Sequence, residues 1–483
     1  MKAFMVASPG TGCGKTTVAL ALMAAMRKRG LAVQGFKCGP DFIDPAHHAV
    51  VTGRTSHNLD SWMLPSEANR AIFQHASDGQ RASDGVDIAV IEAMMGLFDG
   101  VAGASEQGSS AEIAKQLNVP VLLVLDASTA ARSIAAIIRG FEVFDAGVKV
   151  LGVVLNKVGG EGHLRLLREA IQASCQSPIL GSLPEIAAIR IPERHLGLMT
   201  AAEQPLSTGQ SSLLADAAER HIDLDRLLRA CEYTGADFGD AASCVSTKEN
   251  SAKTHSRGAT GKARIGVPRD PAFCFYYEDN LEMLRSEGAE IVEFSSLESS
   301  RLPAGLDMLY FGGGYPELFA EKLSNNHSLI GEVRQFAASG RPIYAECGGL
   351  IYLSRQLRTL NGNTFPLAGV LPLEIEMTGG LVHFGYAEAT FERDCLLGTR
   401  GTTARGHSFH YSKIVQSNSG DGDGLDHAYR VFYTLGSRSE PEGFVSGNVL
   451  ASYIHLHFQS NPRLAASLVA HARSAREAVV AQR

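Results

Sequence analysis

The chain has 483 residues, with 44 Lys and Arg against 51 Asp and Glu, a formal net charge of −7, and it is 45% hydrophobic and 20% charged. That balance excludes a chain disordered throughout, which would lack apolar surface to bury, and a dedicated nucleic-acid binder, which would need a basic excess. At about 150 residues per domain, the length predicts two or three domains. The longest apolar run near the start is nine residues, 18–26, far short of the about 20 that span a bilayer. Pro9, the neighbouring glycines and Lys15 interrupt any signal-peptide core. Eight cysteines are dispersed with no C-x-x-C pair. This predicts neither a zinc ribbon nor a disulfide framework, and points to a reducing compartment, the cytoplasm, with no membrane partner.

Short apolar, β-branched runs predict strands at 3–7, 32–37, 87–92, 121–125 and 150–155. Helical patterns fall at 15–29, 109–117, 130–144 and 162–174. Such alternation predicts βαβ units, a mostly parallel sheet, and a ligand site at the strand C-terminal edge. The stretch 234–262 is rich in Gly, Ser, Thr and charge with no apolar period, and reads as a linker. A second α/β pattern follows, with strands at 264–267, 290–294, 308–311 and 342–345, then a Gly-rich region of short strands from 367 to 431. The expected organisation is residues 1–235, a linker at 236–262, a second domain at 263–465, and a C-terminal helix or tail at 466–483.

The first strand runs into Ser8-Pro9-Gly10-Thr11-Gly12-Cys13-Gly14-Lys15-Thr16-Thr17 and then an Ala/Leu-rich helix. Glycines let backbone N–H groups turn toward a phosphate. The helix N-terminus adds partial positive charge, Lys15 neutralises the anion, and the Thr16 hydroxyl can hold Mg²⁺. Pro9 stands where a strict G-x-x-x-x-G-K-T loop has Gly, so this is a variant loop, of a kind found in dethiobiotin-synthetase-like ATP enzymes, which this half resembles. Acidic clusters follow two further strands. Lys37-Cys38-Gly39-Pro40-Asp41-Phe42-Ile43-Asp44 closes the second, and Glu92 closes the third ahead of Met94-Met95-Gly96-Leu97-Phe98-Asp99. Carboxylates at adjacent strand ends beside a loop Thr suit Mg²⁺. Lys37 is placed to steady a transferring phosphoryl group, and Asn156, at another strand end, to read adenine. His47 and His48 have no partner at metal-ligand spacing and read as structural or substrate-facing.

In the second half a strand leads into Glu346-Cys347-Gly348-Gly349-Leu350, the pattern of a nucleophile elbow. A helix N-terminus there is expected to lower the Cys347 thiol pKa. Gly348 and the upstream loop Phe311-Gly312-Gly313-Gly314-Tyr315-Pro316-Glu317 offer N–H groups for an oxyanion hole, with Gly313 and Gly314 the donors expected. The base is expected late in the chain, where Ser452-Tyr453-Ile454-His455-Leu456-His457-Phe458 supplies two histidines; strand alternation does not choose between them.

This half resembles the class I glutamine amidotransferase domain, in which a Cys–His pair releases ammonia from glutamine. The family pattern Y-[LI]-H-x-x-F aligns with Tyr453 to Phe458 and selects His455. Many amidotransferases carry Glu two residues after this His; His457 stands there instead. With both halves in view, the strings GTGCGKTT, FKCGPDFIDPAHH, LDSWML, MGLFDG, GGGYPE, AECGGLIYL, GHSFHYS and SYIHLHF make the chain similar to the cobyrinate a,c-diamide synthase family. FKCGPDFIDP and GHSFHYS set that branch apart from cobyric acid synthase. Ala93 departs from the family, which usually has Gly there.

The resemblance implies an α/β chain with a P-loop, dethiobiotin-synthetase-like parallel-sheet domain followed by a class I glutamine amidotransferase domain. It implies ATP-dependent amidation of two carboxylates of cobyrinic acid or a related tetrapyrrole, with glutamine or ammonia as nitrogen source. It places Thr16, Asp41 and Glu92 on the metal and Asp44 and Asp99 by the substrate, and puts His407 and His410 toward the corrinoid, a domain interface or the core. Hydrogenobyrinic acid and Ni-sirohydrochlorin are alternative substrates. A regulatory P-loop ATPase with a degenerate amidotransferase domain is the reading from another class. The oligomeric state is left open, a homodimer included.

Overall fold

The computed structural model describes residues 1–78, 85–189, 191, 193–194, 197–198, 200–233, 261–415 and 425–481. The linker expected at 236–262 lies outside the described residues except for its last two. The chain divides into two compact units, residues 1–248 and 249–483.

The first unit is built on strands β1 (Lys2–Ala7), β2 (Val33–Cys38), β3 (His57–Leu59), β4 (Ile88–Glu92), β5 (Val121–Asp126), β6 (Val150–Asn156) and β7 (Ile179–Ser182), in the order β3-β2-β4-β1-β5-β6-β7. Every neighbouring pair is parallel. β4 reads IAVIE and is buried along its whole length, as expected of a strand covered on both faces. Its position between β1 and β2 sets two alignments that matter below, Val6 opposite Glu92 and Lys37 opposite Glu92. Helix α1 (Lys15–Lys28) is buried from Val18 to Met26 and shares a core with the helix Thr208–His221. Arg29, just past the end of α1, bonds Glu219 of that helix at 2.7 Å and Asp225 of the next helix at 2.6 Å. Helix α2 (Ile43–Thr52) follows β2. β3 and β7, the two edge strands, escaped the sequence reading because three or four residues carry no usable period.

The second unit has a ten-stranded sheet. Strands Ala289–Phe294, Ala263–Pro268, Met308–Phe311, Ile343–Glu346 and Val449–Ser452 are parallel neighbours in that order. The sheet continues antiparallel through Arg438–Ser446, Asp426–Tyr433, His383–Phe391, Thr403–His410 and His455–Leu456. The strands that begin between 367 and 431, expected to be short, include three of eight or nine residues. Gly385, Gly406 and Ser408 obscure the alternation in the first two of them. The helix Arg463–Ala481 buries Leu464, Leu468 and Val469 in the core built on Ile265, Tyr310 and Tyr344, so it is an integral layer of this unit. No described helix is long and apolar enough to cross a membrane.

Candidate active sites

Gly12 and Gly14 adopt φ of 83° and 86°, the left-handed conformation that lets the loop between β1 and α1 turn tightly. The buried Lys15 ammonium folds back on this loop, donating to Ser8 Oγ at 3.0 Å and to the Gly10 carbonyl at 3.2 Å. Thr16 Oγ1 donates to Glu92 Oε1 at 2.6 Å and lies 3.5 Å from Asp44 Oδ2. Lys37 Nζ donates to Asp44 Oδ2 at 2.5 Å and Glu92 Oε1 at 3.1 Å, and reaches to 3.9 Å from Asp41 Oδ2. Lys15, Thr16, Lys37, Asp41, Asp44 and Glu92, with Asn156 and Lys157, line a cavity of about 650 Å³.

Burial opposes charge in this cluster, and neighbours decide the outcome. For Glu92, burial is outweighed by Lys37, His48 and Thr16, which hold its carboxyl well below the usual range. Lys37 is likewise raised, because Asp44, Glu92 and Asp41 together overcome its desolvation. Asp44 goes up, since burial and repulsion from Asp41 and Glu92 exceed the help from Lys37. Lys15 is lowered by burial and by Lys37.

Not every expected residue points at the cavity in the expected way. Asp41 uses Oδ1 to accept the N–H groups of Ile43 and Asp44, which caps α2. Asp99 is exposed and accepts the Gly96 N–H at 2.7 Å, closing its own turn. Asn156 Nδ2 donates to the Cys13 carbonyl at 3.0 Å, bracing the loop. A Cβ on Gly14 would stand 2.2 Å from that amide. His48, which the sequence offers as structural or substrate-facing, is bonded to the acid cluster. Its Nε2 lies 2.8 Å from Glu92 Oε2, and its Nδ1 is 3.2 Å from Ser56 Oγ. The available signal was its spacing from Asp44: four residues on a helix share a face. Gly35 on β2 leaves the space, since a Cβ there would be 3.0 Å from the His48 Cβ.

In the second unit Cys347 stands between strand Ile343–Glu346 and helix Gly348–Leu353, with φ 47° and ψ −98°. Gly348 is needed here because a Cβ would come to 3.0 Å from the Gly314 nitrogen. The thiol corrects the sequence expectation. Burial pushes Cys347 up to about 12, and Glu317 adds to the rise against the Gly348 N–H, which lowers it. His455 is 2% exposed, and burial pulls it down to about 3, so it is a neutral base at pH 7. Its ring stacks on His407 at 4.8 Å and 13°. His407, itself held by Tyr277 Oη at 2.8 Å, is a core residue. His410 stacks on Tyr453 at 3.9 Å and has Nδ1 2.8 Å from the Ser412 carbonyl. His457 accepts the Gln459 N–H at 3.3 Å and caps a turn, a difference in role that strand alternation does not reveal. A Cβ on Gly313 would lie 2.2 Å from His455 Cε1, so this glycine makes room for the imidazole. Its N–H donates to the Phe275 carbonyl at 3.1 Å and is not directed at an oxyanion, which corrects the expected donor set.

Comparison with known proteins covers both units. Residues 4–198 match a family model described as a CobQ/CobB/MinD/ParA nucleotide binding domain, and residues 264–463 match one described as a CobB/CobQ-like glutamine amidotransferase domain. Proteins named cobyrinate a,c-diamide synthase are similar over almost the whole length. One from Leptospira interrogans serogroup Icterohaemorrhagiae serovar copenhageni is 40% identical over 465 residues, 96% of this chain and 97% of that protein. One from Syntrophotalea carbinolica gives the same identity and coverage. One from Priestia megaterium is 37% identical over 474 residues, 98% of this chain and 97% of that protein.

Proposed function

The chain belongs to the cobyrinate a,c-diamide synthase family, and from that premise we propose that it amidates the a and c carboxylates of cobyrinic acid with ATP and glutamine, free ammonia serving in place of glutamine. The observation that supports this most directly is the presence, on one chain, of an oxygen-and-lysine cluster on a phosphate loop and, in the second unit, of a cysteine elbow and a buried histidine. We place the reaction in the cytoplasm, where both co-substrates are at hand.

A carboxylate is a poor acylating agent because oxide is a poor leaving group. A carboxylate oxygen of the substrate attacks the γ-phosphorus of ATP, expelling ADP and leaving an acyl phosphate. Ammonia then adds to the acyl carbon and phosphate departs. Lys15, Lys37 and the loop N–H groups hold the charge that builds on the phosphoryl oxygens. The donors fit Mg²⁺: Thr16 Oγ1, Glu92 Oε1 and Asp44 Oδ2 are hard oxygens gathered on one side of the cavity. When bound, Mg²⁺ supplies charge neutralisation for the phosphates. Asp41 fixes α2 and so fixes Asp44.

In the second unit the Cys347 sulfur attacks the glutamine side-chain carbonyl while His455 takes the thiol proton. His455 returns it to the departing nitrogen, and water then cleaves the thioester to glutamate. Gly314 and Gly348 supply N–H groups to the oxyanion. Cys347→Ser is expected to abolish glutamine-dependent amidation and to leave ammonia-dependent amidation intact, read as mass change of the macrocycle. Undiminished glutamine use by that variant would refute the assignment. Parallel assays with cobyrinic acid, hydrogenobyrinic acid and Ni-sirohydrochlorin test the ring: cobyrinic acid is expected to be amidated fastest.

A further inference from the structure

The position two residues beyond the base, where related amidotransferases hold an acid, is occupied by His457, and His457 caps a turn while its ring packs on Tyr277 at 4.4 Å. A carboxylate nevertheless reaches the imidazole from elsewhere. Glu346 is the last residue of its strand and the residue immediately before Cys347. Its register partner on the neighbouring strand is Ser452. From Ser452 the chain turns through Tyr453 and Ile454 and delivers the Leu456 N–H to Glu346 Oε1 at 3.1 Å. The same turn leaves His455 Nδ1 4.0 Å from Glu346 Oε2.

We propose that Glu346 is the positioning residue for His455, doing from the position before the nucleophile what an acid two residues after the base does in related enzymes. The proposal rests on the glutaminase reading of Cys347 and His455. The carboxylate is 1% exposed, and each oxygen receives a tyrosine hydroxyl, Tyr344 on Oε1 at 2.8 Å and Tyr310 on Oε2 at 2.9 Å. With both oxygens fixed, the carboxylate cannot rotate away. The imidazole is held as firmly: His407 stacks on one face, and Gly313 lies against its edge. Carboxylate and ring are thus two rigid bodies with one shared direction, Oε2 toward Nδ1. This leaves Nε2 as the nitrogen that takes the thiol proton.

At 4.0 Å the resting contact is beyond hydrogen-bond reach and acts through its field. When the Cys347 S–H proton moves to Nε2 as the S–C bond forms, the ring becomes a cation, and its Nδ1–H then faces an anion in a medium of low dielectric. The cation is lost again when its proton passes to the leaving ammonia as the C–N bond breaks. Burial pushes Glu346 up to about 7 despite its three donors, so a newly formed imidazolium gives it a strong reason to be ionised. His407 stacks on the ring and His410 acts on it through its field, and neither supplies negative charge.

The test uses the full-length chain with Glu346→Gln, which keeps shape and one acceptor oxygen, turns the other acceptor into a donor, and removes charge. Glutamine hydrolysis should lose about 100-fold in kcat, with KM for glutamine within about twofold, while ammonia-driven amidation is unchanged. Glu346→Asp, which keeps the charge, should recover at least about tenfold of that loss. A Gln variant with wild-type kcat overturns the proposal. So does an Asp variant as slow as the Gln variant, or a loss expressed only as raised KM or a lowered melting temperature. Cys347→Ser run alongside separates the two readings. If it still uses glutamine, the glutaminase assignment itself fails; if it does not and Glu346→Gln is fully active, only the role of Glu346 falls.

Discussion

Cys347 holds a backbone conformation that side chains seldom adopt, φ 47° with ψ −98°, and such strain persists only where surrounding structure imposes it. Here the Cys347 N–H is fixed to the Ser452 carbonyl at 2.7 Å, and its own carbonyl accepts the Ile351 N–H at 3.1 Å. The elbow was legible in the sequence because it is local. The protonation state was not, because burial comes from residues distant in the chain. With a thiol pushed up to about 12 and a histidine pulled down to about 3, the resting pair is neutral. Alkylation of Cys347 by iodoacetamide, followed by peptide mass spectrometry, should therefore accelerate about tenfold per pH unit from 7 to 9 without levelling. A plateau below pH 8 would mean a preformed thiolate. In the other unit, Lys15→Ala should reduce ADP formation by at least about 100-fold with either nitrogen source. Unchanged turnover would remove the loop from the reaction.

At the scale of elements, helix α2 presents Asp44 and His48 one turn apart to the strand end that carries Glu92. A buried hydrogen bond to a charged group contributes about 1.5–3 kcal/mol. His48→Ala is accordingly expected to lower amidation about 10- to 100-fold, equally with glutamine and with ammonia, in a steady-state assay. The motif GPDFID could be read because its acids lie within four residues. His48 could not be singled out from its neighbour His47, since both are buried and a helix whose packing is unknown gives each a face. Likewise Glu346 and His455 meet only through a strand pairing between distant segments. Parallel strands β1, β2 and β4 were legible from their apolar runs, whereas β3 was too short to stand out. Lys37 lies within β2 with both neighbours buried, so removing its charge leaves Glu92 without its main counter-ion. Lys37→Met should destabilise the first unit by about 3–5 kcal/mol in urea unfolding, besides stopping synthesis.

For the whole molecule, the proposed chemistry fixes a ratio. Two carboxyls become two amides, so each macrocycle converted should release two ADP, two phosphates and two glutamates; a sustained excess of glutamate over ADP would show that nitrogen release runs independently of activation. The division of labour was readable from the order of motifs along the chain. The assembly of each centre was not, because it is set by sheet order. That order has a further effect. Lys37 and Glu92 face each other because β2 and β4 are in register, not because a flexible segment brings them together. The electrostatic heart of the phosphate site is thus laid down as the sheet zips up, ahead of any encounter with nucleotide. Attempts to broaden which carboxyl is accepted would do best to leave that ladder untouched and to diversify the segments that emerge from its ends.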